Sequence, residues 1–432
     1  MKQAVLFAMA GLLILGWSVT GKELMEKPVR YQQLLEEGEQ YESDEIYVRA
    51  IESYKEALNY YPGSREVKIR IAKDYLALGD ESSFINQCNG MNQEYGYPEE
   101  VVILLADYYI ENRRNESAVH LLQDALKNHK GGEEVMKRYE KVRYTYKDFY
   151  LGYDDIFPFR NDSTVIVEEG RYGLMNTGGK TIVRCVNEWI GVLSGDRSVI
   201  PVLKDGKFYY ANSSGYRIEV PRKEQFVEEL GVLCNGMAPA KINGNYGYIN
   251  ERFEELSPFV WEKATVIQNG FGAVCQNGKW ALIGEAFELI TDYVYEDVIT
   301  DSYGYCSISG RAFVKTKEGY RMVNEKGEFV GEELYQKAVA FVTDEPTAVK
   351  KGEKWGFIDV DGNLVIEPQY EEAGAFSNGL APVKTLNGWG FINQEGRLVI
   401  EDTFTEARSF YHGLAPVKKG NTWTVIELNV KS

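Results

Sequence analysis

Residues 354–384 read KWGFIDVDGNLVIEPQYEEAGAFSNGLAPVK, and residues 387–418 read NGWGFINQEGRLVIEDTFTEARSFYHGLAPVK. A third copy starts with NTWTVIEL at residue 421. Trp355, Trp389 and Trp423 are therefore 34 residues apart in both intervals. An internal period of this size is typical of repeat proteins, in which one small structural unit is copied and each copy packs on the next. The sequence predicts such an array in the C-terminal part of the chain.

Weaker copies of the pattern precede these three and bring the number of units to eight. Each has an aromatic residue near the register of the tryptophans, at Tyr172, Phe208, Tyr246, Trp280 and Tyr320. Within a unit, glycine turns separate short β-prone runs such as LAPVK, WGFIN and RLVIE. Asn-Gly between such runs is a strong hairpin signal, because both positions of the turn need a positive φ. Each unit is predicted to be a three-stranded antiparallel meander.

The motifs GLAPVK, KWGFID and E-A-x-x-F resemble the WG (KWG) repeat of bacterial proteins. The resemblance spans roughly Tyr153 to Leu428, and it departs from the motif at Phe208-Tyr209, Trp280-Ala281 and Tyr320-Arg321. It implies a binding or scaffolding role for an all-β domain over residues 151–432. We expect the eight units to curve into a propeller-like ring, because radial stacking protects strand edges. The two ends of the array would then complete one unit together; an open β-superhelix is the alternative.

Residues 22–150 read as helices that also repeat. Gly38, Ala72 and Ala106 are 34 residues apart, and Tyr41, Tyr75 and Tyr109 each follow by three. Small residues where paired helices touch, with aromatic residues beside them, resemble the tetratricopeptide repeat. The second copy departs from the pattern with Phe84, Cys88 and Met91. The prediction is an α-solenoid of three helix pairs, followed by a closing helix and linker over Glu133 to Tyr150.

The tetratricopeptide resemblance implies a binding surface on the first helix of each pair, facing the concave side. By register alone, the predicted partner-binding residues are Glu39, Glu42, Lys73, Leu76, Asp107 and Ile110. Mixed charges with interleaved apolar residues suit a protein or peptide segment as the partner. The formal net charge of −17 disfavours nucleic acid and anionic membrane surfaces.

The N-terminus carries a targeting signal. An uncharged apolar run from Ala4 to Thr20 follows Lys2, and its length fits both a short membrane anchor and a signal-peptide core. We interpret residues 1–21 as a signal peptide or an N-terminal membrane anchor. The expected location is the cytoplasmic membrane of a bacterium, with both repeat domains on its outer side. Only this segment would contact the membrane. Secretion is the alternative.

Side chains suited to catalysis or metal binding are scarce. The three histidines are His120, His129 and His412, and the five cysteines form no C-x-x-C pair. His412 takes the register of Asn378 before a glycine, so we interpret it as a turn residue. Asp359 to Asn363 is interpreted as a hairpin rather than as part of a calcium loop. No catalytic, cofactor-binding or metal-binding residue is predicted.

These observations together predict a non-enzymatic extracytoplasmic adaptor that binds a protein or peptide through both repeat types. Two alternatives stay open. One is a module that binds a cell-wall glycan, since Trp and Tyr can stack on sugars; the single register of the tryptophans favours a packed role instead. The other is a glycan hydrolase using paired carboxylates such as Asp359 and Glu401.

Overall fold

A computed structural model describes residues 27–128, 132–195, 199–219 and 227–429. The predicted targeting segment, residues 1–21, and His129 lie outside these ranges. The chain divides into two compact units, Met1–Arg143 and Tyr144–Ser432. None of the helices within the described ranges is both long enough and apolar enough to cross a membrane.

The first unit consists of helices that pack on one another in chain order. Helix α1 covers residues 27–43 of the described chain. The others are α2 (Tyr47–Leu58), α3 (Arg65–Ala77), α4 (Glu81–Tyr95), α5 (Glu99–Glu111), α6 (Asn115–Lys127) and α7 (Glu133–Val142). These are the three predicted helix pairs and the closing helix, and their arrangement is tetratricopeptide-like.

Small residues at the 34-residue period lie at the helix contacts, as the sequence predicts. Ala72 and Ala106 are fully buried. An ideal Cβ added to Gly38 would lie 2.3 Å from Cε1 of the buried Tyr54, so only glycine fits there. The irregular second copy still forms its second helix, and Asp80 caps the N-terminus of that helix by accepting a hydrogen bond from the N–H of Ser83. Phe84, Cys88 and Met91 fill the core at this position.

The second unit is an eight-bladed β-propeller made of small antiparallel sheets. Blade 1 contains β2 (Asp155–Ile156), β3 (Ser163–Glu168), β4 (Arg171–Asn176) and β5 (Thr181–Asn187); blade 2 contains β6 (Trp189–Ile190), β7 (Val199–Lys204) and β8 (Lys207–Asn212); blade 3 contains β9 (Glu229–Leu230), β10 (Ala238–Ile242) and β11 (Asn245–Ile249); blade 4 contains β12 (Lys263–Ala264), β13 (Phe271–Gln276) and β14 (Lys279–Gly284).

The remaining blades have four strands each. Blade 5 contains β15 (Asp297–Val298), β16 (Arg311–Lys315), β17 (Tyr320–Asn324) and β18 (Phe329–Tyr335); blade 6 contains β19 (Lys337–Ala338), β20 (Thr347–Lys351), β21 (Lys354–Ile358) and β22 (Leu364–Tyr370); blade 7 contains β23 (Glu372–Ala373), β24 (Leu380–Lys384), β25 (Trp389–Asn393) and β26 (Leu398–Phe404); blade 8 contains β27 (Glu406–Ala407), β28 (Leu414–Lys419), β29 (Thr422–Leu428) and β1 (Tyr146–Asp148).

The ring is closed by strands from the two ends of the propeller. Strand β1 pairs antiparallel with β29, with Tyr146 opposite Leu428 and Asp148 opposite Ile426. The side chain of Asp148 accepts a hydrogen bond from the hydroxyl of Thr424 and forms an ion pair with Lys419. The prediction that the two ends complete one unit is confirmed, and the open superhelix is wrong. The boundary between the units falls after Arg143 rather than after residue 150, because β1 belongs to the last blade.

The predicted three-stranded meander corresponds to the second, third and fourth strands of a blade. The structure adds a first strand of two residues, such as Glu372–Ala373, which is too short to show an alternating pattern. In blades 2 to 4 the fourth strand is reduced to isolated bridges, for example between Trp280 and Tyr295. The blades therefore share a first, second and third strand and differ at the outer edge.

The glycine of the Trp-Gly pair allows the fourth strand to approach closely. An ideal Cβ added to Gly356 would lie 2.6 Å from the carbonyl oxygen of Ile366. One added to Gly390 would lie 2.6 Å from the carbonyl oxygen of Ile400. The pairing register shifts beside both glycines, which marks a bulge. The tryptophans pack between blades: Trp355 borders a hydrophobic cluster shared by blades 6 and 7, and Trp389 borders one shared by blades 7 and 8.

Candidate functional site

The segment between the first and second strand of each blade, here the A–B segment, runs at one end of the propeller. The A–B segments of blades 1, 4, 5, 6, 7 and 8 line one cavity of about 310 Å³. Because these blades lie all around the ring, their segments can meet only near its axis. We call this space the central cavity. Its charged side chains are Arg160, Asp301 and Glu345, and His412 also lines it.

Aromatic pairs between neighbouring blades position these segments. Phe376 of the blade 7 segment packs on Phe357 of blade 6, with ring centroids 4.8 Å apart. Phe410 of the blade 8 segment packs in the same way on Phe391 of blade 7, at 4.7 Å. Both phenylalanines directly precede lining residues, so the packing between blades fixes the backbone at the cavity.

The A–B segment of blade 5 is longer than the others and crosses the axis. It covers residues 299–310, whereas that of blade 7 covers residues 374–379. The hydroxyl of Tyr303 donates a hydrogen bond of 2.6 Å to the carbonyl oxygen of Pro158 in blade 1. Tyr305 forms a parallel bridge with Val266 of blade 4. The long segment therefore ties blade 5 to blades 1 and 4.

Arg160 of blade 1 lies at the centre of this junction. Its guanidinium donates to Asp301 Oδ2 at 3.1 Å and to Gln268 Oε1 at 2.5 Å, and it lies 3.5 Å from the ring centroid of Tyr305. The side chains of Arg160 and Asp301 are each 15% exposed. Burial raises the pKa of the Asp301 carboxyl above its ordinary value, while Arg160 and the N–H groups of Tyr303 and Tyr305 oppose that shift. The largely buried Arg160–Asp301 pair links blades 1 and 5, and Gln268 adds blade 4 to the junction.

Glu345 is the remaining acidic side chain that lines the central cavity. Its Oε2 accepts hydrogen bonds from the N–H of Gly379 at 2.8 Å and from Gln394 Nε2 at 3.3 Å. Among the described residues, no Lys, Arg or His side chain forms an ion pair with it. Its carboxylate is therefore oriented by neutral donors and keeps its charge available.

A second concavity, here called the helical groove, lies on the helical unit. Its volume is about 860 Å³, and α3 supplies most of its wall. Arg70 of α3 forms ion pairs with Glu39 at 2.8 Å and with Glu42 at 3.1 Å. Arg65, at the start of α3, pairs with Glu100 at 2.7 Å. Lys73 is exposed and also lines the groove.

Asp74 lies beneath the helical groove and is 2% exposed. Its Oδ2 has no hydrogen-bond partner among the described residues. Burial, together with the neighbouring Glu42 carboxylate, raises the pKa of Asp74 to about 7. The groove is thus built over an acid whose protonation state changes near neutral pH.

A family model described as "WG containing repeat" matches residues 246–280, 355–388 and 389–423. The chain contains WG repeats. The matched segments fall on blades 3, 4, 6, 7 and 8 of the ring. The WG propeller is preceded by the tetratricopeptide-like helices, so both parts of the sequence prediction are confirmed.

Parts of the chain are similar to known proteins. Tetratricopeptide repeat protein 21B of Xenopus laevis is 26% identical over 100 residues, a segment that covers 23% of this chain and 8% of that protein. Hsv2p of Kluyveromyces lactis shares 10% identity with a TM-score of 0.37, covering 55% of this chain and 97% of the other. Acylaminoacyl peptidase of Pyrococcus horikoshii shares 10% identity with a TM-score of 0.36, covering 64% and 58%.

The structure brings together only some of the predicted partner-binding residues. Glu42 and Lys73 line the helical groove, and Glu39 adjoins it through Arg70. Asp107 instead binds the closing helix: Arg138 donates to its two carboxylate oxygens at 2.6 and 3.0 Å. Leu76 and Ile110 are partly buried and do not line the groove.

Other residues that the sequence singled out have structural positions. His412 lies in a turn with φ of 47°, and it lines the central cavity of the WG propeller as well. Asp359 accepts hydrogen bonds from the N–H groups of Asp361 and Asn363 within a hairpin of blade 6. Glu401 lies exposed on β26 of blade 7. Within the described ranges, all five cysteines are free and no cluster of three or more His, Cys, Asp or Glu could hold a metal ion.

The Arg160 junction was not predicted from the sequence. Arg160 occupies the repeat position at which blades 7 and 8 have Ser377 and Tyr411, so the arginine is not part of the repeated pattern. The interval from Trp280 to Tyr320 is 40 residues instead of 34, and the extra residues are those of the long blade 5 segment. The longer interval was the signal that could have located the junction.

Proposed function

We propose that this chain is a non-enzymatic adaptor that holds a segment of a partner protein in its helical groove and presents the WG propeller as a second binding surface. The repeat and propeller folds are typical of protein-interaction scaffolds. The observation that carries the proposal is the helical groove itself, an open concavity that combines charged side chains with Ile69 and Tyr95. Such a surface suits an extended peptide better than a compact ligand.

Lys73 is the group of the groove best placed to contact a partner. Arg65 and Arg70 are neutralised by Glu100, Glu39 and Glu42. No ion pair of Lys73 exists among the described residues, and the side chain is exposed. An unpaired ammonium on an open wall favours an acidic side chain or a carbonyl oxygen of the bound segment.

The experiment compares Lys73→Glu with Lys127→Glu in capture assays. Lys127 ends α6, is exposed and lies outside the groove, so both variants change the net charge equally. The adaptor proposal expects proteins captured by the unchanged chain to be retained by Lys127→Glu and lost by Lys73→Glu, with equal melting temperatures. Equal capture by both variants would contradict the proposal.

The glycan-binding alternative is less well supported by the positions of the tryptophans. Trp423 is 3% exposed, and Trp355 and Trp389 are half-buried against hydrophobic clusters. The hydrolase alternative places its two carboxylates, Asp359 and Glu401, in different blades. Retention on purified peptidoglycan, or turnover of a glycan substrate, would favour these alternatives over the adaptor.

We further propose that both repeat domains act outside the cytoplasm, at the membrane or after release from it. The support is the uncharged apolar run from Ala4 to Thr20 behind Lys2. Cell fractionation provides the test. The proposal expects the chain in the membrane or extracellular fraction, and full-length chain in the soluble cytosol would contradict it.

A further inference from the structure

The central cavity has the size of a site for one side chain or one small molecule. Its volume of about 310 Å³ is at the lower end of the range for ligand pockets, roughly 300 to 1,000 Å³. Ile308, Val342 and Phe410 give part of its wall an apolar surface. Polar groups from other blades face the same space, so the cavity can hold a ligand with an apolar stem and a polar head.

The charges around the cavity favour a cation. Arg160 is neutralised by Asp301, with Nη1 and Oδ2 3.1 Å apart, which leaves Glu345 as a net negative charge. Asp162 and Asp344 adjoin lining residues in sequence and add negative charge at this end of the propeller. The whole chain carries a formal charge of −17. A basic ligand would be attracted over a long distance and an anion repelled.

The same face already holds one arginine in this manner. The guanidinium of Arg160 stacks on Tyr305 and binds Asp301 and Gln268, which come from two other blades. A sugar is less suitable, because Tyr411 already packs against Phe159 with nearly parallel rings. His412 approaches the ring of Tyr411 edge-on at 4.3 Å, which further reduces the aromatic surface available for stacking.

We propose that the central cavity receives the side chain of an arginine or lysine carried by a basic segment of the partner protein, with Glu345 as its counter-ion. The alkyl stem lies against Ile308, Val342 and Phe410, and the charged head meets the Glu345 carboxylate. Glu345 is suited to this role because Gly379 and Gln394 fix its orientation without neutralising it. The inference rests on the adaptor function and names the chemistry of its second surface.

The test uses the full chain and a fluorescent, acetylated and amidated peptide of four arginines, with affinity measured by anisotropy at low ionic strength. The comparison is Glu345→Gln against Glu353→Gln. Glu353 belongs to the same blade, is 94% exposed and lies at the other end of β20. Loss of one charge-assisted contact should weaken binding by about tenfold in Glu345→Gln. Glu353→Gln should change it by less than about twofold.

Two further probes locate the site. A peptide of four citrullines, which keeps the shape and loses the charge, should bind at least about tenfold more weakly than the arginine peptide. Val342→Arg places a guanidinium of the chain itself at the cavity and should block the arginine peptide. This second variant keeps the test decisive if melting curves show that Glu345→Gln is unfolded.

Three results would overturn the inference: equal loss in the two glutamine variants, equal binding of the citrulline peptide, or unchanged binding to Val342→Arg. Binding of an N-acetylglucosamine trimer that Glu345→Gln weakens, in place of arginine binding, would also overturn it. A failure of the adaptor function appears in the capture assay alone, so the two failures are distinguishable.

Discussion

Replacing Gly390 with alanine tests why the Trp-Gly pair forms the blades. An ideal Cβ at this position would lie 2.6 Å from the carbonyl oxygen of Ile400 and 2.8 Å from the backbone nitrogen of Asp402, where ordinary contacts begin at 3.4 Å. Both atoms belong to the backbone of β26, which pairs with β25, so no flexible side chain can move aside. The variant should lose about 2 to 3 kcal/mol of unfolding free energy, at the upper end for overpacking.

Urea unfolding followed by tryptophan fluorescence measures this loss in the propeller. Six of the seven tryptophans lie within residues 144–432, and the seventh is Trp17. Gly152→Ala is the matched control, because Gly152 has no heavy atom within 4 Å of its ideal Cβ and no positive φ. The control should change stability by less than about 0.5 kcal/mol. If the two variants unfold at the same urea concentration with the same slope, close strand approach is not the reason for the glycine.

Three other substitutions should have measurable effects. Gly38→Ala forces a Cβ to within 2.3 Å of the Tyr54 ring, so the helical unit should melt earlier by circular dichroism at 222 nm, with a loss of about 1 to 3 kcal/mol; unchanged melting would show that the ring can move aside. Trp423→Ala removes a ring that is 3% exposed in the closing blade and should cost about 3 to 5 kcal/mol in urea; a loss below about 1 kcal/mol would refute its packed role. Burial raises the pKa of Asp74 to about 7. Between the ordinary carboxyl pKa and about 7, the folded state therefore binds more protons than the unfolded state. The free energy of unfolding then falls as pH rises through that interval. Asp74→Asn should therefore be more stable than the unchanged chain at pH 8, on the order of 2 kcal/mol, and nearly equal at pH 4; an equal difference at both pH values would contradict the assignment.

The repeat architecture was predictable because its signals are local. Asn-Gly turns such as Asn378-Gly379 specify hairpins within a few residues, and the 34-residue period defines the unit. The first strand of each blade was not predictable, since two residues such as Glu372–Ala373 carry no periodic pattern. Strand β1 was missed because Tyr146–Asp148 gains its partner from residues almost the whole propeller away in sequence.

The residues of the candidate sites were also predictable from the sequence only in part. Glu42 and Lys73 could be placed on one concave face from their register in the repeat, and the structure puts both in the helical groove. Asp107 has the equivalent register in the third copy, yet α7 supplies Arg138 to bind it, which a repeat pattern cannot show. The Arg160 link to Asp301 depends on the ring bringing opposite blades together. Such contacts follow from topology rather than from local sequence.

Photo-crosslinking from the helical groove tests the adaptor function most directly. p-Benzoyl-phenylalanine in place of Ile69, which lines the groove, should give a discrete protein adduct in cells, and the same group in place of Lys127 should not. Adding Lys73→Glu should abolish the adduct at position 69. An Ile69 variant that forms no protein adduct, or one whose adduct persists unchanged with Lys73→Glu, would contradict the proposal that this groove holds a partner.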